Sequence, residues 1–118
     1  MRRGTTPDYI FTIDGHDLRR SAVFVTIRQD ERQITLTGDR LEVGYDGAGE
    51  GRATISFRLT QEETLDLHAG QAQAQVRWVD ADGTAMCTAV EAIGVAPVLL
   101  EEVIRHADGA AAADPSEG

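Results

Sequence analysis

The stretch Q-A-Q-A-Q-V-R-W-V at residues 71–79 constrains the fold of this chain more than any other. Side chains on a β-strand alternate between the two faces of a sheet. A helix would not gather the apolar positions of this stretch into one stripe, so the period of two indicates a strand. One face is then entirely apolar and carries the only tryptophan of the chain: Ala72, Ala74, Val76 and Trp78.

The residues that follow this strand predict a β-hairpin. The turn Asp80-Ala81-Asp82-Gly83 ends in a glycine, which tolerates a positive φ, and residues 84–95 then form the last long strand. A three-residue loop would place Trp78 opposite Met86 and leave Cys87 facing outward, whereas a four-residue loop would turn Cys87 inward. We expect the three-residue loop, because Met packs beside tryptophan better than Cys does.

Five earlier segments also alternate, and their inward positions are rich in β-branched and aromatic side chains, which favour strands. We expect residues 33–37 and 41–45 at sheet edges, and a bulge in the last strand near Gly94. Short strands at regular spacing predict an all-β fold, an immunoglobulin-like antiparallel β-sandwich, with a small barrel as the alternative. The five predicted strands are residues 9–14, 21–29, 33–37, 41–45 and 53–59.

Two segments have helical character instead. Thr60-Gln61-Glu62-Glu63 has the form of a capping box, in which the Thr60 hydroxyl accepts from the Glu63 amide and the Glu63 carboxylate reaches back. It predicts a short helical crossing between sheets over residues 61–67. The sequence V-L-L-E-E-V-I-R-H at residues 98–106 has apolar side chains at helical spacing, so we expect a short C-terminal helix there.

The chain of 118 residues is long enough for one domain with its own core. We expect residues 1–7 to be a flexible arm, residues 8–106 the β-sandwich domain, and residues 107–118 a disordered tail of Ala, Gly and acidic residues. The single cysteine excludes an internal disulfide. No apolar run follows the first basic residues and none is long enough to span a membrane, so we expect a cytoplasmic protein.

The charge balance is acidic, with 20 Asp and Glu residues against 11 basic residues, which are all arginine. A net charge of −9 opposes binding to phosphate backbones, so neither nucleic acid nor a membrane is an expected partner. Lysine commonly protects the edge strands of monomers, and this chain has none. We therefore expect a homo-oligomer that associates through sheet edges or an outward apolar patch, with Phe24 and Ile93 as its outward residues.

A search for catalytic and metal-binding patterns predicts no catalytic, cofactor-binding or metal-binding residue. No histidine has a second ligand at zinc spacing, no serine lies in a Gly-x-Ser-x-Gly sequence, and Cys87 lacks the motif of a nucleophile. Glu62 and Glu63 are explained by helix capping. The residues tested in this way are His16, His68 and His106, Ser21, Ser56 and Ser116, and Cys87.

Two acidic turns contain residue types that could bind a cation. Asp14-Gly15-His16-Asp17 has two carboxylates and an imidazole, but a turn between strands needs the same residue types for backbone reasons. Asp80-x-Asp82-Gly83 resembles half of a calcium loop and lacks its third oxygen ligand. Glu91 falls in the opposing strand, and the closing Glu at loop position twelve is missing. We interpret both segments as turns.

Four runs of the sequence resemble a group of short proteins encoded in phages and prophages of gut bacteria. Their layout is similar to the immunoglobulin-like N-terminal domain of phage baseplate upper proteins, in which a Leu-Thr…Glu-Thr…Gly crossing precedes a strand ending in Asp-Gly. The corresponding residues here are Leu59, Thr60, Glu63, Thr64, Gly70, Asp82 and Gly83. The runs themselves are Y-I-F-T-I-D-G-H-D-L, V-F-V-T-I-R-Q, L-T-Q-E-E-T-L-x-L-x-A-G and Q-V-R-W-V-D-A-D-G-T-A.

The resemblance covers about residues 8–105 and implies a non-enzymatic virion protein of the tail or baseplate. Such a protein acts through contacts with other virion or tail subunits, and assembles into a virion after synthesis in the cytoplasm. The alternative is a small binding module, for example for carbohydrate. That function requires several exposed aromatic side chains on one face, and the sequence has six aromatic residues in all, mostly at inward positions.

Overall fold

The structure, a computed structural model, describes residues 1–106 as two antiparallel sheets. The predicted disordered tail at residues 107–118 lies outside the described residues. The smaller sheet has the strand order β1-β5-β4, with β1 at Asp8–Asp14, β4 at Glu42–Asp46 and β5 at Arg52–Arg58. The larger sheet has five strands.

The larger sheet is built from β2 at Ala22–Gln29, β3 at Arg32–Thr37, β6 at Gly70–Val79, β7 at Ala85–Cys87 and β8 at Glu91–Val95. Its strand order is β3-β2-β6, and β7 and β8 both pair with the far side of β6. The all-β sandwich is confirmed, and so are the edge positions of β3 and β4. A 3₁₀ turn at Gly38–Arg40 connects these two edge strands.

The inward side chains of both sheets form one hydrophobic core, as the two-residue alternation predicts. Trp78 is only 3% exposed, and His16 packs against the edge of its ring with the ring centroids 5.3 Å apart. The fully or nearly fully buried core residues are Ile13, Leu18, Val23, Val25, Ile27, Ile34, Leu36, Ala53, Ile55, Phe57, Leu59, Leu67, Ala72, Ala74, Val76, Trp78 and Val95.

The crossing between the sheets is the helix α1 at Gln61–Asp66, and its predicted capping box is confirmed. The Glu63 amide donates to the Thr60 hydroxyl at 3.1 Å, and the Thr60 amide donates to the Glu63 carboxylate at 2.8 Å. Leu67, just past the helix, is fully buried and fixes the crossing on the core. Among residues 1–106, no helix is long and apolar enough to cross a membrane.

The hairpin after β6 has the predicted three-residue loop. Trp78 pairs with Met86, and the Asp80 amide donates to the Thr84 carbonyl at 2.8 Å. Gly83 closes the turn with a φ of 91°, a conformation that glycine adopts without strain. Cys87 is exposed, as this register requires.

The prediction of one long last strand with a bulge near Gly94 is wrong. The strand is interrupted at residues 88–90, where two residues, Ala89 and Val90, lie opposite Gln75. Gly94 pairs regularly with Gln71. The extra residue reverses the alternation, so Ile93 packs partly buried against the core instead of facing outward as predicted.

The predicted C-terminal helix is also wrong over residues 98–105, which are irregular. Contacts with distant parts of the chain fix this segment outside a helix. The Gln61 side chain donates to the Ile104 carbonyl at 2.7 Å and accepts from the Ile104 amide at 2.8 Å. Arg2 donates to the Pro97 carbonyl at 2.7 Å. These bonds occupy backbone groups that a helix would use internally.

Residues 1–7, predicted to be a flexible arm, are hydrogen-bonded along the domain. The backbones of Met1 and Arg3 bond to Ala96 at 2.7 and 3.0 Å, in a parallel bridge that extends the β8 edge. The Gly4 amide donates to the Thr64 hydroxyl at 2.9 Å, and that hydroxyl donates to the Thr5 carbonyl at 2.9 Å. Thr64 is fully buried, so the first residues complete the hydrogen bonding of the crossing.

Candidate functional site

The turn at residues 14–17 has the residue types of a cation site. In the structure, each of its polar side chains has a partner within the protein. Asp14 pairs with Arg52 at 2.9 Å, and His16 packs on Trp78. Asp17 accepts two bonds from the Arg19 guanidinium at 2.9 and 2.7 Å and one from its amide. The bonds from the guanidinium have the larger effect and the bond from the amide the smaller, and together they lower the pKa of Asp17 to about 2. The side chains of this turn therefore point to separate partners and do not surround one position where a cation could bind.

The Asp80–Gly83 turn likewise uses its carboxylates to hold the backbone. Asp80 accepts from the Ser21 hydroxyl at 2.7 Å, which ties this turn to the start of β2. Asp82 accepts from the Thr84 amide at 2.9 Å, and this bond lowers the pKa of Asp82. Within residues 1–106, no group of three or more His, Cys, Asp or Glu side chains could hold a metal ion.

His68 forms an exposed ion pair with the turn between β2 and β3. Its Nε2 lies 2.6 Å from an Asp30 carboxylate oxygen, and its Nδ1 lies 3.1 Å from the Ala69 carbonyl. The protonated ring can donate to both acceptors. The bond to Ala69, and then that to Asp30, raise the pKa of His68 above its ordinary value of 6.5.

We expect a proton NMR titration to give a pKa above 6.5 for His68, and Asp30→Asn to lower it. A raised pKa in the folded state stabilises the protein below about pH 6.5, and this contribution is lost as pH rises through the raised value. The free energy of unfolding should therefore fall slightly between these two pH values, and less so in Asp30→Asn. A wild-type pKa of 6.5 or below would contradict the ion pair.

The outward face of the larger sheet is the most distinctive surface of the protein. Its strand registers form continuous rows across the sheet, for example Thr37, Phe24, Arg77 and Cys87. None of its outward side chains is acidic, and we call it the acid-free face. It comprises Ala22, Phe24, Thr26, Arg28, Gln33, Thr35, Thr37, Gln71, Gln73, Gln75, Arg77, Val79, Ala85, Cys87 and Ala92.

The outward face of the smaller sheet has the opposite character. It carries four carboxylates and two arginines, and two of the carboxylates are paired across strands. Arg58 bonds to Asp8 at 2.8 Å, and Arg52 to Asp14 at 2.9 Å. In a chain with a net charge of −9, acidic residues lie on the outward face of one sheet and are missing from the outward face of the other. In that larger sheet, Glu91 of β8 pairs with the inward-facing Ala74. The four carboxylates belong to Asp8, Asp14, Glu42 and Asp46.

The acid-free face has an apolar end and an amide-rich end. At the apolar end, Phe24 and Val79 are 40% and 39% exposed, although their strands have neighbours on both sides. At the other end the bulge opens a shallow groove of about 380 Å³, lined by Gln73, Gln75 and Arg28 among others. The Gln75 side chain donates to the Thr88 carbonyl at 2.8 Å and holds the bulge in place.

The two-residue alternation of the sequence predicts that Phe24 and the glutamines face outward, but it does not predict this surface. Arg28, Thr26 and Gln75 fall in one groove only because β2 and β6 are neighbours in the sheet. The one available signal was the missing acidic residues at outward positions of residues 21–29 and 71–79. Such an absence is informative only once the strand order is known.

Similarity to known proteins is found among solved structures. No protein-family model matches the chain, and no curated protein matches it. Among solved structures, that of murine CRIg is similar, with 14% sequence identity and a TM-score of 0.35, over 84% of this chain and 90% of that chain.

Proposed function

We propose that this chain is a non-enzymatic structural or assembly protein of a phage or prophage tail or baseplate. It binds other virion subunits through the acid-free face of its larger sheet. The observation that carries this proposal is the charge distribution, since protein interfaces are typically depleted of Asp, Glu and Lys and enriched in Arg, as this face is. The phage setting is supported by the sequence resemblance of residues 8–105.

The composition of the acid-free face favours a protein partner over a carbohydrate. Sugar-binding faces usually present several aromatic rings, and Phe24 is the one aromatic side chain among the outward residues of the described larger sheet. Tyr9 and Phe11 stack on Phe57 with ring centroids 5.6 and 5.9 Å apart, on the core side of the smaller sheet. Glutamine, threonine and arginine can exchange hydrogen bonds with a partner backbone as well as with a sugar.

Affinity capture from a lysate of an induced lysogen tests this function. The tagged chain should recover identified tail or baseplate subunits, and Phe24→Glu should lose them. Ile10→Glu is the matched control, because Ile10 is an exposed apolar residue on a strand of the smaller sheet. Recovery of the same subunits by Phe24→Glu would assign binding to another surface, and binding to a glycan array instead would favour the carbohydrate alternative.

A further inference from the structure

We infer that the acid-free face also binds a second copy of this chain, with the two larger sheets packed face to face. The inference rests on the proposed function for the choice of surface and names the first partner of that surface. It follows from where the carboxylates lie, from which side chains can pair with themselves, and from the size of the face.

The position of the carboxylates leaves this face as the favourable contact between two copies. Contact through the smaller sheet would bring like charges together, including Glu42 and Asp46, within the screening distance of about 8 Å at physiological salt. The free edge of β3 runs beside α1, and the Arg32–Asp66 and Arg40–Glu63 ion pairs hold their side chains next to that edge, where an added strand would meet them. On the acid-free face no carboxylate of one copy meets a carboxylate of the other, and the charged side chains that lie there, Arg28 and Arg77, are of the type that is enriched in protein interfaces.

The first residues of the chain cover part of the β8 edge. The Arg2–Ala96 bridge and the backbone bonds of Met1 and Arg3 continue the chain past the end of β8. Fewer backbone groups are then left there to pair with a second copy. Association of two copies through their sheet edges is therefore less favourable than association through the acid-free face.

The side chains of the acid-free face suit pairing with an identical surface. A two-fold interface places the same patch on both sides, so its groups must complement themselves. Glutamine and threonine side chains each donate and accept hydrogen bonds, and they meet this condition without a charged partner. Phe24 and Val79 add an apolar anchor that is exposed in the single chain.

The size of the face is enough for a weak, reversible dimer. Four strands at a spacing of about 4.8 Å and eight residues at about 3.3 Å give a footprint of roughly 500 Å² per copy. Two copies would bury on the order of 1,000 Å², which is the lower limit for a specific interface. We therefore expect dissociation constants on the order of 10–100 µM and a monomer at low concentration.

Sedimentation equilibrium of the purified chain, between about 5 and 500 µM under reducing conditions, tests this inference. The wild type should shift from monomer to dimer over this range. Phe24→Glu and Gln73→Glu should each weaken the dimer by about tenfold or more, because each buries an added charge in place of an apolar anchor or of a side chain that can pair with its own copy. Both new carboxylates would lie beside an arginine of the neighbouring strand, Arg77 or Arg28, so the fold should tolerate them.

Cys87 provides a second readout at the same surface. It is exposed at the apolar end of the face, so its reaction with a maleimide should slow several-fold at about 500 µM relative to 5 µM. Ile10→Glu, on the smaller sheet, should leave both the dimer and the labelling unchanged. These measurements use the chain alone, so they succeed or fail independently of the recovery of virion subunits.

Four results would overturn the inference. One is a monomer throughout the concentration range, and another is a dimer in which Cys87 labelling does not change with concentration. The third is a dimer weakened equally by Ile10→Glu and Phe24→Glu, which would place the contact elsewhere. Loss of virion subunits by Phe24→Glu together with an unaffected dimer would likewise support the proposed function and overturn the self-association.

Discussion

Replacing Trp78 with alanine is expected to lower the free energy of unfolding by about 3–5 kcal/mol. The indole is 3% exposed, pairs with Val23 on β2 and Met86 on β7, and is covered by the His16 ring. Its removal would leave a cavity at the end of the core where two turns meet. Urea unfolding followed by far-UV circular dichroism measures the loss, because the variant no longer has a tryptophan to report on.

Two further variants separate burial from other effects of this substitution. Val79→Ala changes the next residue of β6, whose side chain faces outward, and should cost less than about 1 kcal/mol. Trp78→Phe should cost less than Trp78→Ala, since it retains a ring and removes an indole N–H that has no partner among residues 1–106. Trp78→Ala within about 1 kcal/mol of the wild type would contradict the inward position of the strand.

Most strands and the facing of their side chains could be predicted because they depend on local patterns. The alternation in residues 71–79 determines which side of β6 is buried, whatever its neighbours are. The Thr60–Glu63 capping box and the Asp80–Gly83 turn are also complete within four residues each. Where the signal and the hydrogen bonds it predicts lie in the same short segment, sequence and structure agree.

The bulge at Ala89 and Val90 could not be located in this way, although the sequence held a clue to it. Met86 pairs with Trp78 and Ile93 packs on the core, and these residues are seven positions apart. Unbroken alternation cannot place both on one face, so one residue must be inserted between them. The local alternation alone predicts that Ile93 faces outward. Its inward position depends on the pairing of β8 with β6, which the local pattern does not specify.

The two ends of the described chain differ from expectation for a related reason. Residues 1–7 lack a hydrophobic pattern, yet Gly4 and Thr5 bond to Thr64, about 60 positions away. Residues 98–106 have a helical pattern, yet Gln61 bonds to the Ile104 backbone from 43 positions away. Contacts at such separation depend on the packing of the whole domain, and they can override local propensity.

The acid-free face was beyond sequence analysis for the same reason. Each strand alone shows a few neutral outward residues, which is unremarkable. The feature arises when β3, β2, β6 and β7 are placed side by side and their outward residues join into one surface. The strand order that creates it is set by the crossing through α1 and by the connection between β1 and β2, which both pass from one sheet to the other.

Gln29 holds together two turns at one end of the larger sheet, and Gln29→Met is expected to lower the free energy of unfolding by about 2–4 kcal/mol. The Gln29 side chain is 3% exposed and pairs with the backbone of His68 in both directions. Its amide donates to the His68 carbonyl at 2.8 Å, and its carbonyl accepts from the His68 amide at 2.7 Å. Methionine has nearly the same shape and can make neither bond, so two backbone groups of the crossing would lose their partners.

Chemical denaturation of Gln29→Met, with Trp78 fluorescence as the probe, measures this loss. Gln33→Met is the matched control, because Gln33 is exposed on the edge strand β3 and, within residues 1–106, its side chain bonds only to the Thr35 hydroxyl, at 3.2 Å. We expect the control to change the free energy of unfolding by less than about 0.5 kcal/mol. Equal effects of Gln29→Met and Gln33→Met would show that the bonds to His68 do not hold the crossing in place.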